Sequence, residues 1–435
     1  MPTLAPISRG NYTALGLILF FAKFNLDRWI AKRAGIAWYF SDYFYYLSGT
    51  LSLKSHMGLW IAATPFVAIG VWLTLRRLRA LGWPLATVAL FFVPLLNLLF
   101  FAALCVLPDR AAEGSSGWMD RLIPRSTEGS AAVGVLISAV LALGLVLLSV
   151  AGVQQYSTGL FLGVPFLSGF FSTVVYCYHG RRSLAECLAV GLMSVVVLGA
   201  LLFGLVVEGI ICIAMAAPVA AVMAMVGCVF GYLIQGRGAP QVAGVWLVAL
   251  PLALGAEYLV QPRAEIHAAT TTVEIDAPVE RVWERVVRFP DLRAPEEWYF
   301  KTGIAYPVRA RIEGSGVGAV RHCEFSTGAF VEPIEVWDAP RLLRFAVAKS
   351  PRPMEEWTPY GKLEAAHLDG FFESVRGEFR LEPLSGGRTR LHGTTWYRHR
   401  IFPAAYWRLW SDAIVHRIHL RVLRHVKELA ERDGR

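Results

Sequence analysis

Paired cysteines are missing from this chain. Cys105, Cys177, Cys187, Cys212 and Cys228 lie in or beside apolar stretches, Cys323 lies alone in a polar region, and no spacing couples them. That excludes a disulfide-stapled framework. There is no Cys-x-x-Cys and no His-Glu-x-x-His, so no metal is expected and nothing points to another cofactor. The run Gly314-Ser315-Gly316-Val317-Gly318 lacks a Gly-Lys-Ser/Thr and a following helix, which makes it hairpin material rather than a phosphate cradle. The net charge is +9, yet no Lys/Arg run is interleaved with aromatics. A nucleic-acid partner is therefore not expected, and the basic excess reads as lipid-facing.

Charge itself is scarce over most of the length. Residues 1–262 hold 15 Lys/Arg and 9 Asp/Glu, against 27 and 24 in residues 263–435. The shift predicts a transmembrane helical part, 1–262, followed by a soluble part, 263–435. A bilayer core about 30 Å thick takes roughly 20 apolar residues in a helix. About eight segments approach that length: Asn11 to Ala31, Met57 to Leu75, Leu85 to Leu107, Ala131 to Gly152, Gly159 to Cys177, Leu184 to Val207, Gly209 to Ile234 and Val242 to Val260. Lys23, Asp27 and Arg28 burden the second half of the first, which leaves seven spans as the alternative.

No small-residue cleavage site precedes Lys23, so that first stretch reads as a retained helix. The aromatics from Trp38 to Tyr46 have the composition of a headgroup-level belt. Most loop Lys/Arg fall on one face, but Arg76-Arg77-Leu78-Arg79 falls on the other, and the charge pattern fixes no side for the soluble part. Glu208, between two apolar spans, is the carboxylate that stands out in the membrane part. Its bland reading is an interfacial turn, as for Glu257 near a span end.

After Gln261-Pro262 the pattern changes. Thr271 to Ile275 alternates like a strand, and Val279 to Phe289 has helical apolar spacing. Six further runs suit antiparallel strands: Val308 to Ile312, Gly318 to Phe325, Phe330 to Trp337, Leu342 to Ala348, Phe371 to Leu381 and Thr389 to Tyr397. One long amphipathic helix closes the chain from Pro403 to about Arg432.

The run Thr272-Val273-Glu274-Ile275-Asp276-Ala277-Pro278-Val279-Glu280-Arg281-Val282-Trp283, and the strand Gly387-Arg388-Thr389-Arg390-Leu391 before the closing helix, resemble the START-like superfamily known as SRPBCC, or polyketide cyclase/dehydrase-like. That resemblance implies an α+β helix-grip fold, a curved antiparallel sheet around a long C-terminal helix, with a cavity for lipids or other hydrophobic small molecules; some members are enzymes. Arg77-Leu78-Arg79-Ala80-Leu81-Gly82-Trp83-Pro84 and Val93-Pro94-Leu95-Leu96-Asn97 resemble a bacterial inner-membrane family of unknown function over residues 1–110, which implies that membrane as the location; 130–262 resembles nothing.

Alternation places Phe371, Glu373, Val375, Phe379 and Leu381 on one strand face, where a buried Glu373 would titrate high and serve as an acid or orient a ligand. Cys323, with Glu332, His367 and Asp369, supplies nucleophile, carboxylate and base types. On the closing side Tyr397, Trp410, His416 and His419 complete the cavity candidates. Two histidines three apart can share a metal, but pocket-edge hydrogen bonding suits this pair better. The irregular segment Ser350 to Leu368 is a candidate lid over the cavity mouth. The sequence thus supports membrane-tethered binding of a hydrophobic ligand, with a cyclase, dehydratase or hydrolase, or a ligand-sensing transporter, as alternatives.

Overall fold

The computed structural model describes residues 5–33, 38, 53–92, 96–107, 118–152, 156–235, 264–288, 291–358, 360–363 and 365–432. The first half is helical: α1 Arg9–Arg33, α2 Leu53–Leu81, α3 Leu96–Val106, α4 Trp118–Leu122, α5 Thr127–Leu147, α6 Val164–Tyr176, α7 Leu184–Gly204 and α8 Ile210–Ile234. Five stretches among the described residues are long and apolar enough to cross a membrane: Ile61–Leu81, Thr127–Val150, Gly159–Tyr176, Leu184–Gly204 and Ile210–Ile234. This is consistent with a membrane protein, with fewer such helices than the expected eight.

The differences have local causes. In α1, Lys23 and Asp27 pair one turn apart and Asp27 is buried, so polar groups occupy a helix that pattern alone reads as a span. The stretch Leu85 to Leu107 is broken into a 3-10 helix, Leu85–Phe92, and the 11-residue α3, which at 1.5 Å per residue extends only about 16 Å. Buried Arg77 ends it, donating from Nε to the Leu104 carbonyl at 2.8 Å. Val242 to Val260 and the aromatics Tyr39 to Tyr46 lie outside the described residues.

Helix α6 is the axis of the bundle, with 72% of the stretch Gly159–Tyr176 buried, and it packs against α5, α7 and α8. Close approach requires small residues. A Cβ on Gly169 would lie 2.0 Å from the Ala224 carbonyl oxygen, and one on Gly227 2.0 Å from that of Phe166, so α6 and α8 cross backbone to backbone. Helix α7 starts on a capping box, in which Ser183 and Glu186 satisfy each other's amides.

The second half opens with β1 Ile266–Ile275, α9 Val279–Val287 and the short α10 Trp298–Lys301. It continues through β2 Pro307–Glu313, β3 Val320–Phe325, β4 Gly328–Asp338, β5 Leu342–Ala346, β6 Glu356–Thr358, β7 Gly361–Leu363, β8 Phe372–Leu384 and β9 Arg388–His399, and ends on α11 Ala404–Arg432. Seven strands form one curled antiparallel sheet in the order β1-β9-β8-β5-β4-β3-β2, and α11 lies across β1 and β9. Val422, Leu423, Val426 and Ala430 of α11 pack with Val282, Trp283 and Val286 of α9 and with Leu343, Phe379 and Leu391 of the sheet. That core fills one end of the curl. The other end faces the helical bundle, where Cys212 and Met215 of α8 reach it.

The segment Ser350 to Leu368 is more ordered than its composition suggests. It contains the hairpin β6–β7, which packs on α8.

Candidate functional site

A cavity of about 180 Å³ lies between the open half of the sheet and α11. Its walls are largely apolar, with Phe325, Phe330, Phe345 and Phe379 on the sheet side and Ile414, Ile418 and Val422 on the helix side. At its floor Arg321 and Glu332, directly opposed on β3 and β4, form a buried ion pair, and the Arg321 guanidinium sits 4.8 Å from the centre of the Phe345 ring. Burial pushes the Glu332 carboxyl up, opposed by the attraction of Arg321. Among the described residues, Arg321 Nε has no hydrogen-bond partner, although it is buried.

Of the sequence candidates, Cys323, Glu332, His367, Phe379 and His419 line this cavity. His419 is held at both ring nitrogens, by Thr271 Oγ1 at 3.1 Å and Thr395 Oγ1 at 2.8 Å, and burial lowers its pKa to about 4. His416 bonds the same Thr271 hydroxyl from the exposed side of α11. The shared partner is thus a threonine.

Other candidates are placed elsewhere. A bulge between Ser374 and Arg376 in β8 shifts the alternation by one residue, so Phe372 and Ser374 face the cavity while Phe371, Glu373 and Val375 do not. Glu373 instead pairs with Arg398 at 2.7 Å, and Phe371 packs edge-on against Tyr156. Asp369 is held outside by Arg352 through two 2.8 Å bonds. Tyr397 is fully buried behind the lining, its hydroxyl donating to Asp412 at 2.6 Å. Trp410 packs near the bundle, and Trp407, one helical turn earlier, is the lining residue.

The cavity of the sheet has a neighbour across the junction. A second one, of about 420 Å³, lies inside the bundle among α5, α6, α7 and α8, and both are lined by Cys212, His367, Ile401 and Trp407. Around this junction the two halves of the chain exchange polar contacts. Tyr156 donates to Glu208 Oε1 at 2.7 Å, and His367 Nδ1 lies 3.3 Å from Glu208 Oε2 and 3.3 Å from the Tyr156 hydroxyl. His367 Nε2 lies 2.9 Å from Cys212 Sγ.

From β6, Glu356 accepts the amides of Ile211 at 3.2 Å and Cys212 at 2.9 Å, capping α8 across the junction. Phe402 N donates to the Tyr156 carbonyl at 2.9 Å, and the Tyr406 hydroxyl to that of Met215 at 2.5 Å. Of this cluster the sequence marked Glu208 and His367. Tyr156 and Glu356 carry no local signal, while Cys212 lies four residues after Glu208.

Burial raises the Glu208 carboxyl to about 8, with Glu356 adding to the rise and the Tyr156 hydroxyl opposing it; burial lowers His367 to about 4. The folded chain therefore holds a proton on Glu208 that the unfolded chain releases near the ordinary value of 4.5, and stability falls as pH rises towards 8. His367 acts oppositely between its lowered value and 6.5, where the unfolded chain binds the proton. The two largely cancel below pH 6.5. Above it Glu208 acts alone, with a slope of about 1.4 kcal/mol per pH unit. The thermal midpoint is expected to drop between pH 6.5 and 8 and to stay level in Glu208→Gln; an equal drop in the variant would assign the dependence to another group.

No family model matches this chain, and no curated protein matches it. Solved structures do. The aromatase/cyclase Zhui of Streptomyces sp. R1128 is similar at 19% identity over 39% of this chain and 97% of its own, with a TM-score of 0.27. A norcoclaurine synthase point mutant of Thalictrum flavum, in complex with a transition-state analogue, is similar at 10% identity over 40% of this chain and all of its own, with a TM-score of 0.27. A Nitrosospira multiformis protein is similar at 17% identity over 39% of this chain and 100% of its own, with a TM-score of 0.24.

Proposed function

We propose that this chain is a membrane-anchored receiver of a lipid or similarly apolar small molecule, held in the cavity between the curled sheet and α11. The observation that carries the reading is the junction. An apolar cavity within helices of membrane-spanning length shares Cys212, His367, Ile401 and Trp407 with the cavity of the sheet, so a greasy molecule has a route between them that avoids water. The buried Arg321 Nε–H, without a partner among the protein groups, supplies one donor for an acceptor on an otherwise apolar ligand.

The full chain, purified in mild detergent and extracted for mass spectrometry, is expected to carry an apolar ligand. Filling the cavity with Ile418→Trp or Cys323→Met should lower retention at least about tenfold, the order of a lost 1.4 kcal/mol. Glu373→Gln, on the outer face, should retain as much as the parent. Absence of any apolar ligand, or full retention in both filled variants, would overturn the reading.

A further inference from the structure

We propose that Cys212, His367 and Tyr156 form a thiol, imidazole and hydroxyl relay that takes an acyl group from a long-chain ester onto Cys212. The inference rests on the reading of the two cavities as one ligand path. Its geometry is that of a nucleophile, a base and an orienting hydroxyl in line. Cys212 Sγ lies 2.9 Å from His367 Nε2, and the Tyr156 hydroxyl, which donates to Glu208 Oε1, lies 3.3 Å from His367 Nδ1. Cys212, His367 and Glu208 could be read as metal ligands, since one donor atom from each lies within 4.8 Å of the others. The ring decides between the two. A metal ion takes one imidazole nitrogen, whereas here the thiol and the Tyr156 hydroxyl hold opposite nitrogens, so that Nδ1 keeps its proton and Nε2 accepts that of the thiol.

The surroundings suit the chemistry. Cys212 and His367 line both cavities, so the sulfur stands where an acyl chain lying in either would present its carbonyl. Tyr156 donates its own proton to Glu208 Oε1 at 2.7 Å, which turns its oxygen to accept from the ring. Cys212 is in the first turn of α8, which fixes its backbone.

In the first step Sγ bonds to the ester carbonyl carbon and its proton passes to Nε2. The carbon–oxygen bond then breaks, the alcohol leaves with that proton, and a thioester remains on Cys212. Water, deprotonated by the same nitrogen, adds to the thioester; its carbon–sulfur bond breaks, releasing a fatty acid and restoring the thiol.

The test uses the full chain in detergent with p-nitrophenyl dodecanoate. A dodecanoyl adduct on the Cys212 peptide is expected, together with p-nitrophenol release that falls at least about 100-fold in Cys212→Ser and His367→Asn. Glu208, a positioning residue, should lower kcat about tenfold as Glu208→Gln with KM kept, and Glu208→Asp should recover part of it. A structural role for Glu208 would shift the thermal midpoint without that split. A chain that retains its apolar ligand but shows neither adduct nor turnover overturns the relay and leaves the binding reading intact. Stoichiometric zinc, lost in Cys212→Ser, overturns it in favour of a metal centre. A chain without ligand or turnover sinks both.

Discussion

Arg321→Met is expected to destabilise the protein by about 3 to 5 kcal/mol, the cost of leaving one member of a buried ion pair alone. Arg321 and Glu332 are 3% and 5% exposed, and they face each other across β3 and β4 at the floor of the cavity. Removing the guanidinium leaves the Glu332 carboxylate to be neutralised by a proton or hydrated by water drawn into an apolar cavity. The methionine keeps most of the volume, so packing loss contributes little. Denaturation of the full chain should show the loss, and the double variant Arg321→Met, Glu332→Leu should recover most of it, because two apolar groups of similar size need no partner. If the double variant is as unstable as the single one, the pair is not the source of the effect. The same experiment reports on the ligand, since both variants remove the unpartnered Nε–H and should weaken retention of a molecule that uses it.

Much of the architecture was legible because it rests on periodicity. The alternation in Thr271 to Ile275 and the stripe of Val415, Val422 and Val426 each follow from which face must be dry, and the structure puts those faces in the core. What periodicity misses is a change of phase. One inserted residue near Val375 turned Glu373 from an inward acid into an outward partner of Arg398, and no residue type at that position signals it. The bundle shows a similar limit. Hydropathy counts residues, but it does not see that Leu85 to Leu107 divides into a 3-10 helix and the short α3, whose last carbonyls Arg77 folds inward to cap.

The junction was the least legible part, for a reason of distance. Glu208 and His367 are separated by 159 positions, Glu356 and Cys212 by 144. Each alone has an unremarkable explanation, a turn carboxylate or a loop acid. Their meaning comes from a contact between the membrane-type helices and the sheet, to which strand alternation and helical spacing are both blind. The hairpin β6–β7 is what delivers Glu356 there, and it lies in the segment whose prolines and aromatics suggested a lid. Its role in the fold is a strap onto α8.

That strap should be removable. Glu356 is fully buried, and its two oxygens accept the Ile211 and Cys212 amides at the start of α8, groups that no earlier turn of helix can satisfy. Glu356→Ala leaves both amides without an acceptor in a site closed to water, a loss of about 3 kcal/mol when hydrogen bonds to a charged group contribute roughly 1.5 to 3 kcal/mol each and part is regained by relaxation. The loss should appear as a lower thermal midpoint and as faster proteolysis within residues 350–368, because the hairpin loses its hold on α8 while the core between α9, α11 and the sheet stays intact. A second variant reaches the same contact from the other side. Gly209 precedes α8, and a Cβ there would lie 2.0 Å from Glu356 Oε2, so Gly209→Ala must push the carboxylate off the amides. Both changes are expected to release the hairpin. If Glu356→Ala unfolds and is cleaved like the parent, the cap is not what joins the two halves, and the shared lining of the cavities would have to be held by the Tyr156, His367 and Tyr406 contacts.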